Sequence, residues 1–343
     1  MNRGPKVTTS QTQGLVMIKP KSVFQDYIDR VRPHLNEIHT RWTSTLFNSI
    51  PLNENEAILT AVSGGKRIRG TLLCLITESL GGRLSAALPR ALAIELIHDA
   101  SLIHDDFVDQ DRTRRNFPAV WTLEGARRAV LLGDTIFASA IRMMNDLSVR
   151  DGYIVSHAIA ELSKGALHEG MDPAEMIQQT QCSEGDGGVY EALIRLKTGV
   201  LFEAACCLGA LAGERDVRIQ ELYGRFGMRI GEAYQMVDDL HEIQMHCRTG
   251  LVEREQAALL VPALLRFSKD HISGILPLLE QESSQLDGAA LACFQRAATA
   301  ISAEVRNRIN WAVAEIAPIL PDNGYRSLLM SAPGDLIDMF RAT

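Results

Sequence analysis

From residue 23 onward, apolar residues recur three and four positions apart with few interruptions. That spacing places them on one face of an α-helix, whereas the strict alternation typical of β-strands is scarce. Prolines and paired glycines fall near the ends of these segments, where they interrupt helices. The pattern therefore predicts an all-α fold, a helical bundle around a central cavity.

We expect residues 1–22 to form a flexible tail and residues 23–343 to form one all-α domain. Within that domain the predicted helices are about 23–48, 66–80, 86–109, 126–147, 152–167, 188–212, 218–244, 251–268, 271–281, 288–316 and 325–340. A membrane span needs roughly 18 consecutive apolar residues, and because the chain has no such segment, no span is predicted.

Composition narrows the function further. The net charge of −7 argues against nucleic acid as a partner, because phosphate backbones need a basic surface. The six cysteines form no C-x-x-C pair, which favours a reducing and therefore cytoplasmic location. The first 22 residues also lack the continuous apolar stretch of a signal peptide.

The first candidate site is acidic and lies at the C-terminal end of the apolar helix predicted over 86–109. Asp105 and Asp109 are four residues apart, so they share a face, and Asp106 is rotated by about 100°. The helix dipole opposes carboxylates at this end. A solvated acidic helix end would explain them alone, but Arg114 and Arg115 follow closely, which favours a site for a cation and an anion together.

A second acidic cluster lies in the helix predicted over 218–244. Asp238 and Glu242 again share a face, with Asp239 beside them and Gln235 about one turn earlier. His241 is interpreted as a surface residue. Oxygen-only ligands of this kind suit Mg²⁺, which usually retains water and bridges to substrate phosphates.

Basic residues lie in separate segments. Lys66 and Arg69 are three residues apart at the start of a helix, where backbone N–H groups also favour anions. The alternative is a glycine turn before a solvated basic helix. Lys197 lies in an apolar helix and is either a surface lysine whose stem packs on apolar neighbours or a buried cation with a partner.

These segments, in this order, resemble the trans-isoprenyl diphosphate synthases, also called polyprenyl synthetases. The similarity extends from about residue 57 to 242, and the matching stretches are GGKRIRG, ELIHDASLIHDDFVDQDRTRR, LLGDTIFASA, IRLKTGVLFEAA and GEAYQMVDDL. The resemblance implies the isoprenoid synthase fold and Mg²⁺-dependent condensation of isopentenyl diphosphate with an allylic prenyl diphosphate. It also implies a homodimer, with a heteromer as the alternative.

The resemblance assigns roles to residues. The implied metal ligands are Asp105, Asp106 and Asp109 on one side and Asp238, Asp239 and Glu242 on the other. Arg114 and Lys197 would contact the allylic diphosphate. The residues that would contact isopentenyl diphosphate are Lys66, Arg69, His98 and Arg115. Thr198 and Gln235 would lie near the reacting carbons, where their dipoles steady the carbocation.

The same resemblance predicts a product of C20 or longer. The prenyl tail would run down the helix of the first acidic cluster, where Ala100 and Ser101 are small and leave the pocket open. Phe137 on the next helix is a candidate for a deeper floor.

Three positions depart from the family pattern: the second motif ends in Glu242, Gly199 replaces an alanine, and Gln256 stands about where a lysine is expected. These departures keep two alternatives open: a terpene-synthase-like enzyme that cyclises or transfers a prenyl diphosphate, and a non-catalytic partner subunit. His104 beside Asp105 prompts a third, a metal-dependent phosphohydrolase.

Overall fold

The computed structural model describes residues 22–169, 175, 188–268 and 276–341. The α-helices in these ranges are α1 (Val23–Asn48), α2 (Asn55–Ser63), α3 (Ile68–Ser79), α4 (Leu84–Val108), α5 (Val120–Glu124), α6 (Ala126–Leu147), α7 (Val149–Glu169), α8 (Gly188–Ile194), α9 (Val200–Ala212), α10 (Val217–Thr249), α11 (Arg254–Phe267), α12 (Gly288–Ile316) and α13 (Arg326–Arg341). A π-helical turn (Arg195–Gly199) joins α8 to α9, and 3₁₀ turns occupy Leu276–Leu279 and Ala317–Ile319.

Two small antiparallel pairs supplement the helices. Strands β1 (Thr113–Arg114) and β2 (Phe117–Pro118) form a short hairpin after α4. Strands β3 (Leu251–Glu253) and β4 (Ser283–Gln285) pair between α10 and α12. The predicted all-α class is therefore confirmed, with strands confined to connections.

The sequence pattern predicted α1, α6 and α12 with the bounds that the structure has. It missed α2 and the short α5. It also began a helix at residue 251, where the structure has β3: Gly250 ends α10 at a φ of +69°, and α11 begins only at Arg254. The predicted helix 271–281 lies partly outside the described residues. Most of the predicted tail, residues 1–22, also lies outside the described residues. The division of the chain into a tail and one domain over 23–343 stays a prediction.

Glycines bring α10 against the segment that carries Lys197 and Thr198. A Cβ at Gly231 would lie 2.7 Å from the Cα of Gly199, and one at Gly227 would lie 2.3 Å from the carbonyl oxygen of Phe202. No larger residue fits at such distances. This close contact places the second acidic cluster beside the π-helical turn.

The apolar core divides into three neighbouring clusters. One joins α1, α3, α4 and α9 through residues such as Leu72, Ile94 and Phe202. A second joins α10, α11 and α12, and a third fills the space between α1, α2, α4 and α6. Helix α4 contributes to two of them and is therefore firmly held. In the described part of the chain, no helix is long and apolar enough to cross a membrane.

Candidate active site

The basic segment at the start of α3 is shaped by a left-handed residue. Arg67 has φ +51° and ψ +39° and immediately precedes the helix. Arg69, two positions later, places its guanidinium carbon 4.7 Å from the centre of the Phe202 ring. Its Nε has no hydrogen-bond partner among the described residues. Burial lowers the pKa of Arg69, although nearby Glu95 opposes that effect. A buried cation with an unused donor is suited to an anionic ligand.

Arg115 reaches the same place from the hairpin. A Cβ at Gly64 would lie 3.2 Å from Arg115 Cδ, and one at Gly65 would lie 3.3 Å from its Nη2. The glycine pair therefore leaves the space that the arginine occupies. Burial lowers the pKa of Arg115, and it also lowers that of Lys66. The predicted isopentenyl-diphosphate residues thus converge from α3 and the hairpin.

His98 belongs to this group as a neutral donor or acceptor. Burial lowers its pKa well below the ordinary value, and the positive charges of Arg69 and Arg115 lower it further. A neutral imidazole can hydrogen-bond to a phosphate oxygen without adding to the repulsion among the arginines.

The first acidic cluster is partly engaged within the protein. Asp106 is 3% exposed, and its Oδ1 accepts hydrogen bonds from Arg114 Nη2 and, at 2.7 Å, from Arg114 Nε. Burial raises the pKa of Asp106, and the bond to Arg114 opposes that rise. Asp105 is half-buried and Asp109 is exposed at the end of α4. A predicted metal ligand and a predicted diphosphate ligand are therefore an ion pair here.

The second acidic cluster is connected to the π-helical turn by a chain of hydrogen bonds. Thr198 Oγ1 donates to Gln235 Oε1 over 2.7 Å, and Gln235 Nε2 donates to Asp239 Oδ1 over 3.0 Å. The phenol of Tyr190 donates to Asp239 Oδ2 over 2.7 Å. Burial raises the pKa of Asp239 to about 6, although both hydrogen bonds oppose the rise. Asp239 therefore orients Gln235 and Thr198.

Of the remaining residues of that cluster, Asp238 is half-buried and Glu242 is exposed. Burial raises the pKa of Asp238, while the positive charge of Lys197 lowers it. Lys197 is therefore electrostatically coupled to the second cluster. Glu242 and His241 are exposed on α10, one turn beyond.

Two departures from the family pattern have local explanations. A Cβ at Gly199 would lie 2.4 Å from the sulfur of Met228, so the thioether takes the space that an alanine methyl would need. The Gln256 side chain caps α11 together with Glu253. Gln256, at the position where a lysine was expected, therefore caps the N-terminus of α11.

The sequence matches a known protein family. The polyprenyl synthetase family model matches residues 54–249. A short chain isoprenyl diphosphate synthase from Methanothermobacter thermautotrophicus is 31% identical over 71% of this chain and 76% of its own length. The chain belongs to the polyprenyl synthetase family.

Other relatives align over less of their length. A geranylfarnesyl diphosphate synthase from Aeropyrum pernix is 35% identical over 52% of this chain, and the match spans 57% of that relative. A geranylgeranyl diphosphate synthase from Methanosarcina mazei is 32% identical, and the match spans 52% of this chain and 55% of that relative. The chain thus spans little more than half the length of these two relatives.

Solved structures show the same fold. A geranylgeranyl pyrophosphate synthetase from Pyrococcus horikoshii superimposes with a TM-score of 0.71 at 22% identity, covering 92% of this chain and 99% of that one. A polyprenyl synthase from Caulobacter crescentus, complexed with calcium and isoprenyl diphosphate, superimposes with a TM-score of 0.62 at 24% identity. That match covers 90% of this chain and 97% of the other. The architecture is therefore the all-α isoprenoid synthase fold.

The carboxylates of this family member fit a hard divalent cation. Both clusters offer oxygen donors, and burial raises the pKa of Asp238 and Asp239, so a bound cation would stabilise their ionised forms. Among the described residues, no three His, Cys, Asp or Glu side chains converge closely enough to hold an ion by themselves. Substrate oxygens would complete the coordination, as Mg²⁺ commonly requires.

The His104 side chain packs against α6. Its Nε2 lies 3.0 Å from the carbonyl oxygen of Val130 on α6, and its ring packs edge-on against Phe137 with centroids 5.5 Å apart. An imidazole that contacts a neighbouring helix in this way does not support the phosphohydrolase alternative.

The residues predicted to set chain length lie on α4 and α6. Ala100 is fully buried in the third core cluster, between α4 and helices α1, α2 and α6. Ser101 is half-buried and donates to the carbonyl oxygen of His98 over 2.9 Å. Phe137 is partly buried beside the same cluster. Their role in product length stays a prediction.

Two features of the site were not predicted from the sequence. Tyr190 carried no signal beyond an aromatic residue near the start of a predicted helix. Glu95 and Asp99 did carry one, because they lie four residues apart in the apolar part of α4, the same spacing as Asp105 and Asp109. Both are about 3% exposed in the structure.

Proposed function

We propose that this protein is a Mg²⁺-dependent prenyltransferase that condenses isopentenyl diphosphate with an allylic prenyl diphosphate, releasing diphosphate. The observation that carries the proposal is the arrangement of two carboxylate clusters, on α4 and α10, with a separate group of cations at the start of α3 and on the hairpin. Membership of the polyprenyl synthetase family supports it. The geranylgeranyl and geranylfarnesyl diphosphate synthases among its relatives support a product of C20 or longer.

The first step is ionisation of the allylic C–O bond, whose electrons leave with the diphosphate. Mg²⁺ bound by the two carboxylate clusters, Asp105, Asp106 and Asp109 with Asp238, Asp239 and Glu242, would neutralise charge on that leaving group. Lys197 and Arg114 would contact its oxygens, since a fixed cation stabilises charge that develops in a transition state.

The carbocation then needs a nearby group that steadies it without reacting. The Thr198 hydroxyl donates a hydrogen bond to Gln235 Oε1, so the lone pairs of its oxygen remain available to the carbocation. Asp239 holds Gln235 in turn. We infer that this chain of hydrogen bonds sets the orientation of both dipoles.

Lys66, Arg69, His98 and Arg115 would bind isopentenyl diphosphate. Its double bond attacks C1 of the carbocation, forming the new C–C bond. A proton then leaves the adjacent carbon, and the released diphosphate accepts it. The product is a prenyl diphosphate five carbons longer.

The exposed surface of α6 and α7 supports the expected homodimer. Large apolar side chains lie on it, among them Leu131, Val149, Tyr153 and Leu167, with Val149 86% exposed. Such a surface favours burial against another protein. Sedimentation analysis would distinguish the homodimer from a monomer that needs a homologous second subunit. The cytoplasmic location stays a prediction from the cysteine content.

One experiment tests the proposed reaction. The purified protein is incubated with Mg²⁺, labelled isopentenyl diphosphate and allylic primers of several lengths, and products are chromatographed before and after phosphatase treatment. We expect labelled prenyl alcohols only after phosphatase treatment. Unlabelled hydrocarbon released without phosphatase would instead support the terpene-synthase-like alternative, and no turnover with any primer would support a non-catalytic subunit.

A further inference from the structure

Behind the basic segment lies a buried network of ionisable residues. Arg67 Nη1 is 3.3 Å from Asp99 Oδ2 and 3.6 Å from Glu95 Oε2. His39 Nε2 lies 2.6 Å from the same Asp99 oxygen. The side chains of these four residues are between 1% and 5% exposed. The network therefore lies in the interior, where charge is poorly screened by solvent.

The network is attached directly to the start of α3. Glu95 Oε1 accepts a hydrogen bond from the backbone N–H of Gly70 over 2.7 Å. A Cβ at Gly70 would lie 3.1 Å from that same oxygen, so the glycine permits the contact. Arg67 itself stands between Lys66 and Arg69 in the chain. The two carboxylates consequently lie just beneath the cations proposed to bind isopentenyl diphosphate.

Their negative charge acts on Arg69 and Arg115 across a longer distance than on Arg67. Burial lowers the pKa of Arg69 and Arg115, and in both cases the carboxylates of Glu95 and Asp99 oppose the decrease. The direct partner of both carboxylates is Arg67, not Arg69 or Arg115. Glu95 and Asp99 therefore stabilise the charged forms of Arg69 and Arg115 while leaving both arginines able to bind an anion.

We propose that Glu95 and Asp99 are the internal counter-charge of the isopentenyl-diphosphate site: they keep its cations stable in the substrate-free protein and weaken the site's affinity for diphosphate. The proposal rests on the proposed function of that site. A diphosphate that binds there must replace part of this counter-charge and is repelled by it. Removing one carboxylate charge should therefore destabilise the free protein and strengthen diphosphate binding.

A network that served only the fold would behave differently. Arg90 and Asp151 form such a pair: the Arg90 Nε to Asp151 Oδ1 distance is 2.6 Å, and Asp151 is fully buried. Arg90 belongs to α4, as Glu95 and Asp99 do, but this pair contacts none of the basic residues of the site. Removing it should lower stability and leave anion binding unchanged.

The key variant is Glu95→Gln, because glutamine keeps an oxygen to accept the Gly70 N–H bond and removes the charge. Binding of inorganic diphosphate is measured calorimetrically in chelator, where the carboxylate clusters hold no metal. We expect the dissociation constant to fall about tenfold, the midpoint of thermal unfolding of the free protein to fall by several degrees, and the stabilisation by diphosphate to increase. Asp99→Asn should act in the same direction.

Two controls complete the design. Asp151→Asn should lower the unfolding midpoint and leave the dissociation constant within about twofold. Arg69→Gln should weaken diphosphate binding strongly, which places the bound anion at this site. Unchanged or weaker binding by a folded Glu95→Gln protein would overturn the proposal. Absence of metal-independent diphosphate binding to the wild type would instead refute the proposed anion site itself.

Discussion

The phenol of Tyr190 donates a hydrogen bond to Asp239 over 2.7 Å, and this bond connects α8 to the second acidic cluster. The neighbouring Glu191 accepts a hydrogen bond from Arg308 Nη2 over 2.5 Å, which anchors the same segment to α12. Asp239 is thus held from two sides, by Tyr190 and by Gln235. Its main role follows from those bonds: it positions the groups that face the carbocation.

Tyr190→Phe removes the donor and leaves the ring. Because a hydrogen bond to a charged group contributes roughly 1.5–3 kcal/mol, we expect kcat to fall by about tenfold or more, with the KM for isopentenyl diphosphate little changed. Steady-state kinetics with both substrates varied would show this. Tyr27→Phe is the matched control, since Tyr27 donates to Glu78 over 2.6 Å far from the site. Equal effects of the two variants on kcat would contradict the role of Tyr190 in positioning Asp239.

Asp239 should also make stability depend on pH. Its pKa in the folded, metal-free protein is about 6, above the ordinary value of 3.8, so the fold favours the protonated form. The stability from that proton is present below pH 4 and is lost as the pH rises through about 6. Urea unfolding in chelator should therefore show wild type losing stability relative to Asp239→Asn between about pH 4 and 6.

Added Mg²⁺ should reduce that loss, because a bound cation favours the ionised carboxylate. Parallel pH profiles for wild type and Asp239→Asn would show that Asp239 does not titrate in this range.

Gly64→Ala tests the placement of Arg115. The added Cβ would lie 3.2 Å from Arg115 Cδ, so the guanidinium must shift. We expect the KM for isopentenyl diphosphate to rise several-fold, with the KM for the allylic substrate unchanged. Gly334→Ala is the control, because a Cβ there meets no atom within 4 Å. An unchanged KM for isopentenyl diphosphate would remove Arg115 from that subsite.

Ala100→Phe tests the chain-length pocket. A bulky ring there should close the path along α4 and shorten the product, which mass spectrometry of the dephosphorylated alcohols would reveal. Ala312→Phe overfills a fully buried alanine on α12 instead and should lower stability without altering length. If Ala100→Phe does not fold, Ser101→Phe probes the half-buried neighbour. Full-length product from a folded variant at either position would refute the assignment.

Helical periodicity and the spacing of acidic and basic residues predicted most of the fold and the composition of the candidate site. Both acidic clusters and the Lys66 and Arg69 pair could be read from residues close together in the sequence. The contact of Arg115 with the glycine pair could not, because it depends on the turn of a two-residue hairpin. The ion pair of Asp106 with Arg114 could not be predicted either, because residue spacing alone does not determine which cation a carboxylate pairs with.

Contacts between residues far apart in the sequence could not be predicted either. Tyr190 and Asp239 are 49 residues apart, and their hydrogen bond joins α8 to α10. Gly199 was noted as a departure from the family, yet its reason, the sulfur of Met228, lies on another helix. The match between a small residue on one helix and a large residue on its neighbour can be recognised only from the packed structure.

The central claim is tested most directly by the ratio of label incorporated from isopentenyl diphosphate to diphosphate released, measured with Mg²⁺ for wild type and Asp105→Ala. We expect one diphosphate per isopentenyl unit in wild type, no reaction in chelator, and a rate lower by orders of magnitude in the variant. Asp146→Ala is the control, because Asp146 is an exposed carboxylate on α6. Diphosphate released without incorporated label, or a fully active Asp105→Ala protein, would contradict the central claim.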